Sequence, residues 1–387
     1  MEFELDEEDR LFRDSVHGWV EREVPKAWSR ELERHEEQFP FELWEKLARA
    51  GYHGVGVPEE YGGQGGTVIS QMILARELAR SLGGLAWIWG ITSFAGVKSV
   101  GLYGTDEQKQ RFLPPIAAGE MRFAAGFTEP GGGTDLLGAM KTTAVRGEGG
   151  WILHGSKIWC SSAHVADTIL LLARSDANVE KRHHGLSLFL MPANADGVTI
   201  TTLPKLGMRS MGSCEVGMED VFVPDDLVLG EPGKAWYMLL PTLNNERIVL
   251  SAFCCGILDG VLEDALEYMG QREAFGRKIG GFQILQHYVA DIAMWRKQAE
   301  LMVLHAAWLQ SNDRPCGQES NMAKVVASEY AVAAADLGIQ ILGGMGYSAE
   351  TDMQRYWRDA RLFRIGPVTN EMARNSIAEN LGLPRSF

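Results

Sequence analysis

The chain has 387 residues, of which 45% are hydrophobic and 23% charged, enough for two or three domains with sizeable cores and typical of a globular protein. Its formal net charge of −14 argues against nucleic acid or an anionic membrane as a partner, while leaving room for local phosphate pockets. The five cysteines (160, 214, 254, 255 and 316) lack paired metal-ligand spacing, and no metal site is read; their odd number and the lack of a secretory signal point to a reducing cytoplasm. No apolar run is read as a membrane span.

Residues 1–120 read as a helical domain. Phe12, Val16, Trp19 and Val20 share one helical face, and Leu43, Leu47 and Ala50 share another, closed by Gly51. A third helix is expected over 68–82, ended by Gly83-Gly84, and Thr105 with Gln108 makes a capping box before a fourth. The glycine-rich stretch 54–66 reads as a loop, either the edge of a pocket or plain surface.

Residues 121–232 change character. Short β-rich runs are expected at 141–145, 151–160, 167–174, 186–192, 198–203 and 214–223, with 175–184 as an exposed polar connection. Their spacing predicts an antiparallel barrel or sandwich rather than alternating βα units. From 233 to 387 the pattern is helical again. Leu262, Ala265, Leu266 and Met269 mark one face, and Leu285, Val289, Ile292, Ala299 and Met302 the next. Met322, Val325, Val326 and Tyr330 begin a third helix, stopped by Gly343-Gly344. The predicted class is α+β: a helical domain, a central antiparallel β domain, and a C-terminal four-helix-bundle-like domain.

Chemistry concentrates at a few stretches. Residues 124–135, AAGFTEPGGGTD, combine Pro130 with three consecutive glycines and two hydroxyls, Thr128 and Thr134. Such a segment cannot be helical and lets a ligand approach its backbone closely. Trp159-Cys160-Ser161 follows, then Arg272–Phe275 and Gln340–Gly344. Residues 344–349 fit a dinucleotide fingerprint letter by letter but follow a helix instead of a strand, which argues against a Rossmann turn. No P-loop and no nucleophile elbow is present.

In order, FTEPGGGTD, WCSS, NNER opening the first bundle helix, REAFGRKIGGFQ, QILGGMGY and RYWRDARLFRI resemble the acyl-CoA dehydrogenase family of flavoproteins, over essentially the whole chain. The resemblance implies the family fold and FAD bound between the β domain and the bundle. It implies that Phe127 and Thr128 contact the flavin ring, that Trp159 covers one edge of it, and that the Ser161 hydroxyl, where threonine is usual, reaches N5. Thr134 would meet the pantetheine arm of an acyl-CoA thioester, with Asn244 and Arg247 at the substrate. Arg272, Phe275, Gln283, Gln340, Gly343 and Gly344 would contact an FAD across a subunit interface, implying a homodimer or homotetramer. Thr369 and Glu371 match flavin-contacting positions. The competing readings are a core aromatic for Trp159 and a solvent-facing cation for Arg272. Electron-transferring flavoprotein is the implied partner.

The proton acceptor departs from the family's commonest pattern. The turn that usually carries a glutamate reads Gly366-Pro367-Val368-Thr369, so Pro367 removes both the carboxylate and a backbone N–H. Losing one oxyanion donor costs about 3 kcal/mol in the barrier. A minority of the family, including the branch resembling crotonobetainyl-CoA reductase, carries the base elsewhere, and Glu246 is the expected base here. A helix-stabilising role for Glu246, with Glu371 as rival base, is the alternative. The implied activity is FAD-dependent dehydrogenation of an acyl-CoA to a 2-enoyl-CoA. Reversed chemistry as a reductase, a non-catalytic subunit of a hetero-oligomer, a carrier-protein thioester and an oxidase remain open.

Overall fold

A computed structural model describes residues 4–34 and 39–385 of the chain. The N-terminal layer contains α1 (Glu7–Glu23), α2 (Lys26–Arg34), α3 (Phe41–Arg49), α4 (Val68–Ser81), α5 (Gly83–Thr92), α6 (Ser99–Tyr103) and α7 (Asp106–Ala117). Asp6 caps α1 by accepting the Asp9 N–H at 2.8 Å, and Val16 and Val20 turn inward while Phe12 and Trp19 pack at the margin. Gly51 leaves α3 at φ +75°, a conformation open to glycine. The Thr105–Gln108 capping box forms as expected, and the Gln108 amide also donates to the carbonyls of Asp226 and Val228, tying α7 to the sheet.

Gly83-Gly84 does not end the helical region. Leu82 alone turns extended (φ −159°, ψ 125°), and Gly83 opens α5, whose every residue is buried. A side chain on Gly84 would lie 2.4 Å from the Ser210 hydroxyl, so this glycine permits packing and is no stop signal. A π-helical turn, Ser93–Lys98, joins α5 to α6. The combined stretch Gly83–Tyr103 and the later helix Gly317–Leu342 are long and apolar enough to cross a membrane, contrary to the sequence expectation. The most apolar window of the first is 83% buried inside the protein, which accounts for its apolarity as core packing; that of the second is 50% buried.

The central strands are β1 (Phe123–Gly126), β2 (Thr143–Gly147), β3 (Gly150–Ser161), β4 (Thr168–Arg174), β5 (Leu186–Pro192), β6 (Val198–Leu203), β7 (Ser213–Pro224) and β8 (Val228–Leu229). They form one sheet in the order β6-β7-β3-β2-β4-β5-β8, with β1 beside β4. Most pairings are antiparallel as expected, but β1 runs parallel to β4 and β2 touches β4 in parallel at Thr143 and Arg174. The sheet is therefore mixed. β1 arrives from the helical layer instead of from a hairpin, which short-range turn signals do not reveal. β2 starts two residues later than expected because the N–H groups of Lys141 and Thr142 are taken by the Glu129 carboxylate.

The C-terminal region is built on α8 (Ala235–Gln271), a 37-residue helix. NNER therefore lies within α8 and does not open it. A short hairpin, β9 (Glu273–Ala274) and β10 (Arg277–Lys278), leads to α9 (Gln283–Ser311) and α10 (Gly317–Leu342), then α11 (Gly344–Tyr347), α12 (Met353–Leu362) and α13 (Asn370–Asn380). α8 packs against α4 through Gly256, where a side chain would lie 2.1 Å from the Arg76 carbonyl. Asp259 on α8 accepts Arg76 at 2.6 and 3.0 Å and also pairs with Arg296, locking α4, α8 and α9 together. The expected apolar faces shift in places. Leu266 is exposed, and α10 buries mainly small residues such as Ala323, Ala327 and Ala331, while Met322, Val326 and Tyr330 sit at its margin.

Candidate active site

One group of site residues is assembled by a bulge. β3 pairs with β7, but the register slips between Lys157 and Cys160. A bulge re-aims side chains and leaves ladder groups free. Here Trp159 takes φ +62° and leaves its indole 58% exposed, and the Ile158 N–H donates to the Thr128 carbonyl at 2.9 Å. Lys157 turns inward instead. Its ammonium donates to the Phe127 carbonyl at 3.1 Å and to the Glu129 carboxylate at 2.9 Å. Glu129 also accepts the N–H groups of Lys141 and Thr142 at 2.7 and 2.8 Å. Burial works against the Glu129 carboxylate, but Lys157 and Thr142 outweigh it and hold its pKa below the ordinary value. Burial pulls the Lys157 ammonium down, with Glu129 opposing. This fully bonded buried pair fixes the peptide edge at Phe127–Thr128 beside the Trp159 indole. Phe127 further packs edge-on against Phe94 at 6.1 Å.

At the end of β3, Ser161 accepts a hydrogen bond from the Trp87 indole N–H on α5 at 2.9 Å. Thr134 is exposed on the loop after β1, just before Asp135, whose side chain caps the Gly138 N–H at 2.9 Å. A side chain added at Gly131 or Gly133 would meet nothing within 4 Å, so the backbone there faces open space.

A second group lies on α8. Glu246 is buried at 6% exposure, and among the described residues nothing hydrogen-bonds to its carboxyl. Burial raises its pKa to about 8, against a smaller opposing pull from Arg247. Arg247 donates to Asn244 at 2.9 Å, while its Nε is buried without a partner. Asn245 donates to Gln71, and Gln71 to Ser93 in the π-helical turn, so this segment of α8 is braced from the N-terminal layer.

The turn before α13 is held by a buried lysine. Lys324 on α10 donates to the Val368 carbonyl at 2.5 Å and to the Asn370 side chain at 2.6 Å, and burial lowers its pKa to about 8. Pro367 in that turn is exposed. Thr369 caps α13 by accepting the Met372 N–H at 3.2 Å. Glu371 is exposed, and its own backbone N–H is the main influence keeping its pKa low.

The third group is at the far end of the bundle. Arg272 ends α8, Phe275 sits at the hairpin tip at 94% exposure, and Gln283 opens α9, also exposed. Gln340 is exposed near the end of α10. Gly343 takes φ +60° and ψ −133°, and neither Gly343 nor Gly344 would crowd an added side chain. Among the described residues no hydrogen bond, ion pair or ring contact joins this group to the other two. Trp87, Lys157, Glu129 and Lys324 escaped the sequence reading. A lysine at an inward position of a strand and a glutamate inside the quoted glycine-rich motif were the available signals for the central pair. Nothing local marks Trp87.

An open indole face beside a pinned peptide edge, with glycine backbone open to solvent, fits a flat heteroaromatic cofactor carrying a pyrophosphate. Such an arrangement, within a helical–sheet–helical chain that also buries an unpaired carboxyl, is compatible with a flavin-dependent dehydrogenase. Family models for the acyl-CoA dehydrogenase N-terminal, middle and C-terminal domains match residues 6–120, 124–221 and 233–382. "Probable acyl-CoA dehydrogenase YngJ" of Bacillus subtilis is 36% identical over 386 residues, covering 98% of this chain and all of that protein. The solved butyryl-CoA dehydrogenase of Megasphaera elsdenii superposes with a TM-score of 0.94 at 31% identity, over 99% of this chain and 100% of that one. A chain from a structure of the electron transferring flavoprotein of Acidaminococcus fermentans matches at 0.93 and 33%, over 98% and 99%. The chain belongs to the acyl-CoA dehydrogenase family and is an FAD-dependent oxidoreductase of acyl-CoA thioesters.

Proposed function

We propose that the chain converts an acyl-CoA to its 2-enoyl-CoA, with Glu246 as the base that takes the proton α to the thioester. The observation that carries this reading is a carboxyl group buried on α8 with no hydrogen-bond partner and a pKa raised to about 8. A carboxylate deprived of water and of partners is a stronger base than one in solvent. Bound FAD supplies the acceptor for the hydride that leaves the β carbon. Phe127 and Thr128 offer it a fixed peptide edge, Trp159 a covering ring, Ser161 a hydroxyl, and Thr369 and Glu371 further contacts. Asn244 and Arg247 flank the base and orient the thioester, while Thr134 meets its pantetheine arm. Pro367 itself contributes neither carboxylate nor N–H, in keeping with a base on α8.

The same reading makes residues 1–120, 121–232 and 233–387 three domains, and places Arg272, Phe275, Gln283, Gln340, Gly343 and Gly344 against the FAD of a second copy. A homodimer or homotetramer in the cytoplasm follows, passing electrons to an electron-transferring flavoprotein. The match to a chain from such a structure supports that partner. Running the reaction backwards as a 2-enoyl-CoA reductase uses the same groups. Anaerobic mixing of the purified, FAD-loaded chain with a panel of acyl-CoA thioesters tests the proposal. Bleaching of the flavin by at least one saturated thioester is expected. A yellow protein that no thioester bleaches, but that binds them, would instead be a non-catalytic subunit.

A further inference from the structure

The Trp87–Ser161 contact carries more than packing. An indole N–H can only donate, so the Ser161 oxygen must be the acceptor in their 2.9 Å bond. The serine's own proton is then left over, and among the described residues no acceptor takes it. Serine has no β-branch, so its χ1 is free to turn unless something holds it. Trp87 is itself held. It is 8% exposed, it packs edge-on against Phe253 at 5.8 Å, and a side chain on Gly90 would lie 3.1 Å from its ring. Ser161 sits two residues beyond Trp159, just past the bulge, on the face assigned above to the flavin.

We propose that Trp87 is a positioning residue that pins the Ser161 hydroxyl by occupying one of its lone pairs, leaving its O–H as a fixed, polarised donor to the FAD ring. Accepting one hydrogen bond strengthens a hydroxyl as donor. The latch also joins α5 of the helical layer to the cofactor site, so the site takes one of its determinants from outside the sheet and the bundle. The inference rests on the flavin reading of that face.

The test is a double-mutant cycle on FAD-loaded protein with Trp87→Phe, Ser161→Ala and both together. Three quantities are read: the visible absorption of oxidised flavin, its reduction potential, and the rate of flavin bleaching by a reactive thioester. Each single variant should shift the absorption band and the potential in the same direction and slow bleaching about tenfold, the effect of one ordinary hydrogen bond. The double variant should be no worse than Ser161→Ala alone. Ser161→Thr placed on Trp87→Phe should recover most of the shift, because the β-branch supplies the stiffness that the indole supplied. A Trp87→Phe protein that melts lower but keeps the parental absorption and potential shows packing alone and overturns the proposal. So does a spectrally silent Ser161→Ala, a result independent of whether Trp87→Phe folds. Protein that stays colourless after reconstitution with FAD overturns the flavin reading itself.

Discussion

Glu246 shows how one side chain can be prepared by its surroundings. Burial raises its pKa to about 8 while Arg247, one residue on, pulls the other way. The folded protein thus holds a proton that the unfolded chain releases between the ordinary carboxylate range and about pH 8. The stability this adds is present at low pH and is lost as pH rises through that window. Glu246→Gln should therefore match the parent below about pH 4 and unfold at higher urea than the parent above pH 8. The gap should grow by up to roughly 1.4 kcal/mol per pH unit. Urea melts of both proteins across pH check this, and equal midpoints throughout would contradict the buried, unpaired carboxyl. Catalysis carries the opposite sign: only the ionised carboxylate accepts a proton, so flavin reduction should rise with pH through the same value. Glu246 was legible because a glutamate two residues into NNER had a motif around it. Its lack of partners was not, since that depends on what α4 and the π-helical turn place nearby.

At the scale of elements, the buried Lys157–Glu129 pair connects the β3 bulge to the loop after β1. Lys157→Met would leave the Glu129 carboxylate buried without its counter-charge and should cost roughly 3–5 kcal/mol. Adding Glu129→Gln should recover part of that loss. Denaturant unfolding of the single and double variants measures both. The α10–α11 junction makes a contrasting case. Gly343→Ala meets no atoms, so its cost is backbone strain alone, about 1–3 kcal/mol, whereas Gly344→Ala in the helical turn should be close to neutral. If both substitutions are equally harmless, the assigned conformation of Gly343 is wrong. Strands β5 and β6 were readable to the residue because turn signals bound them on both sides, β5 as a run buried on both faces and β6 with partial alternation. The parallel placement of β1, the true start of α8 and the continuation past Gly83-Gly84 were not. Each is decided by contacts with distant segments: β4 for the first, the long bundle for the second, and Ser210 for the third.

For the whole molecule, the ordered set of motifs between residues 127 and 365, together with the order of helices, strands and helices, was sufficient to recognise the family. The proposed assembly draws on what one chain leaves bare. Phe275 at 94% and Tyr347 at 84% exposure, with Ile284 and Met345 also exposed, form apolar surface at the bundle end, where Arg272, Gln340 and Gly343 also lie. If copies of the chain share the FAD site as proposed, Phe275→Ser should weaken their association and release FAD on dilution, as light scattering with a flavin absorbance trace would report; a monomer that keeps its FAD would contradict the proposed shared site. The central claim, however, concerns the base on α8, and single-turnover flavin bleaching by a reactive acyl-CoA tests it most directly. Glu246→Gln should keep its FAD and bleach at least ~10²-fold more slowly than the parent, the low end of general-base catalysis, while Glu371→Gln should affect FAD affinity more than rate. Parental bleaching by Glu246→Gln together with an inactive Glu371→Gln would move the base to the turn before α13 and contradict the account.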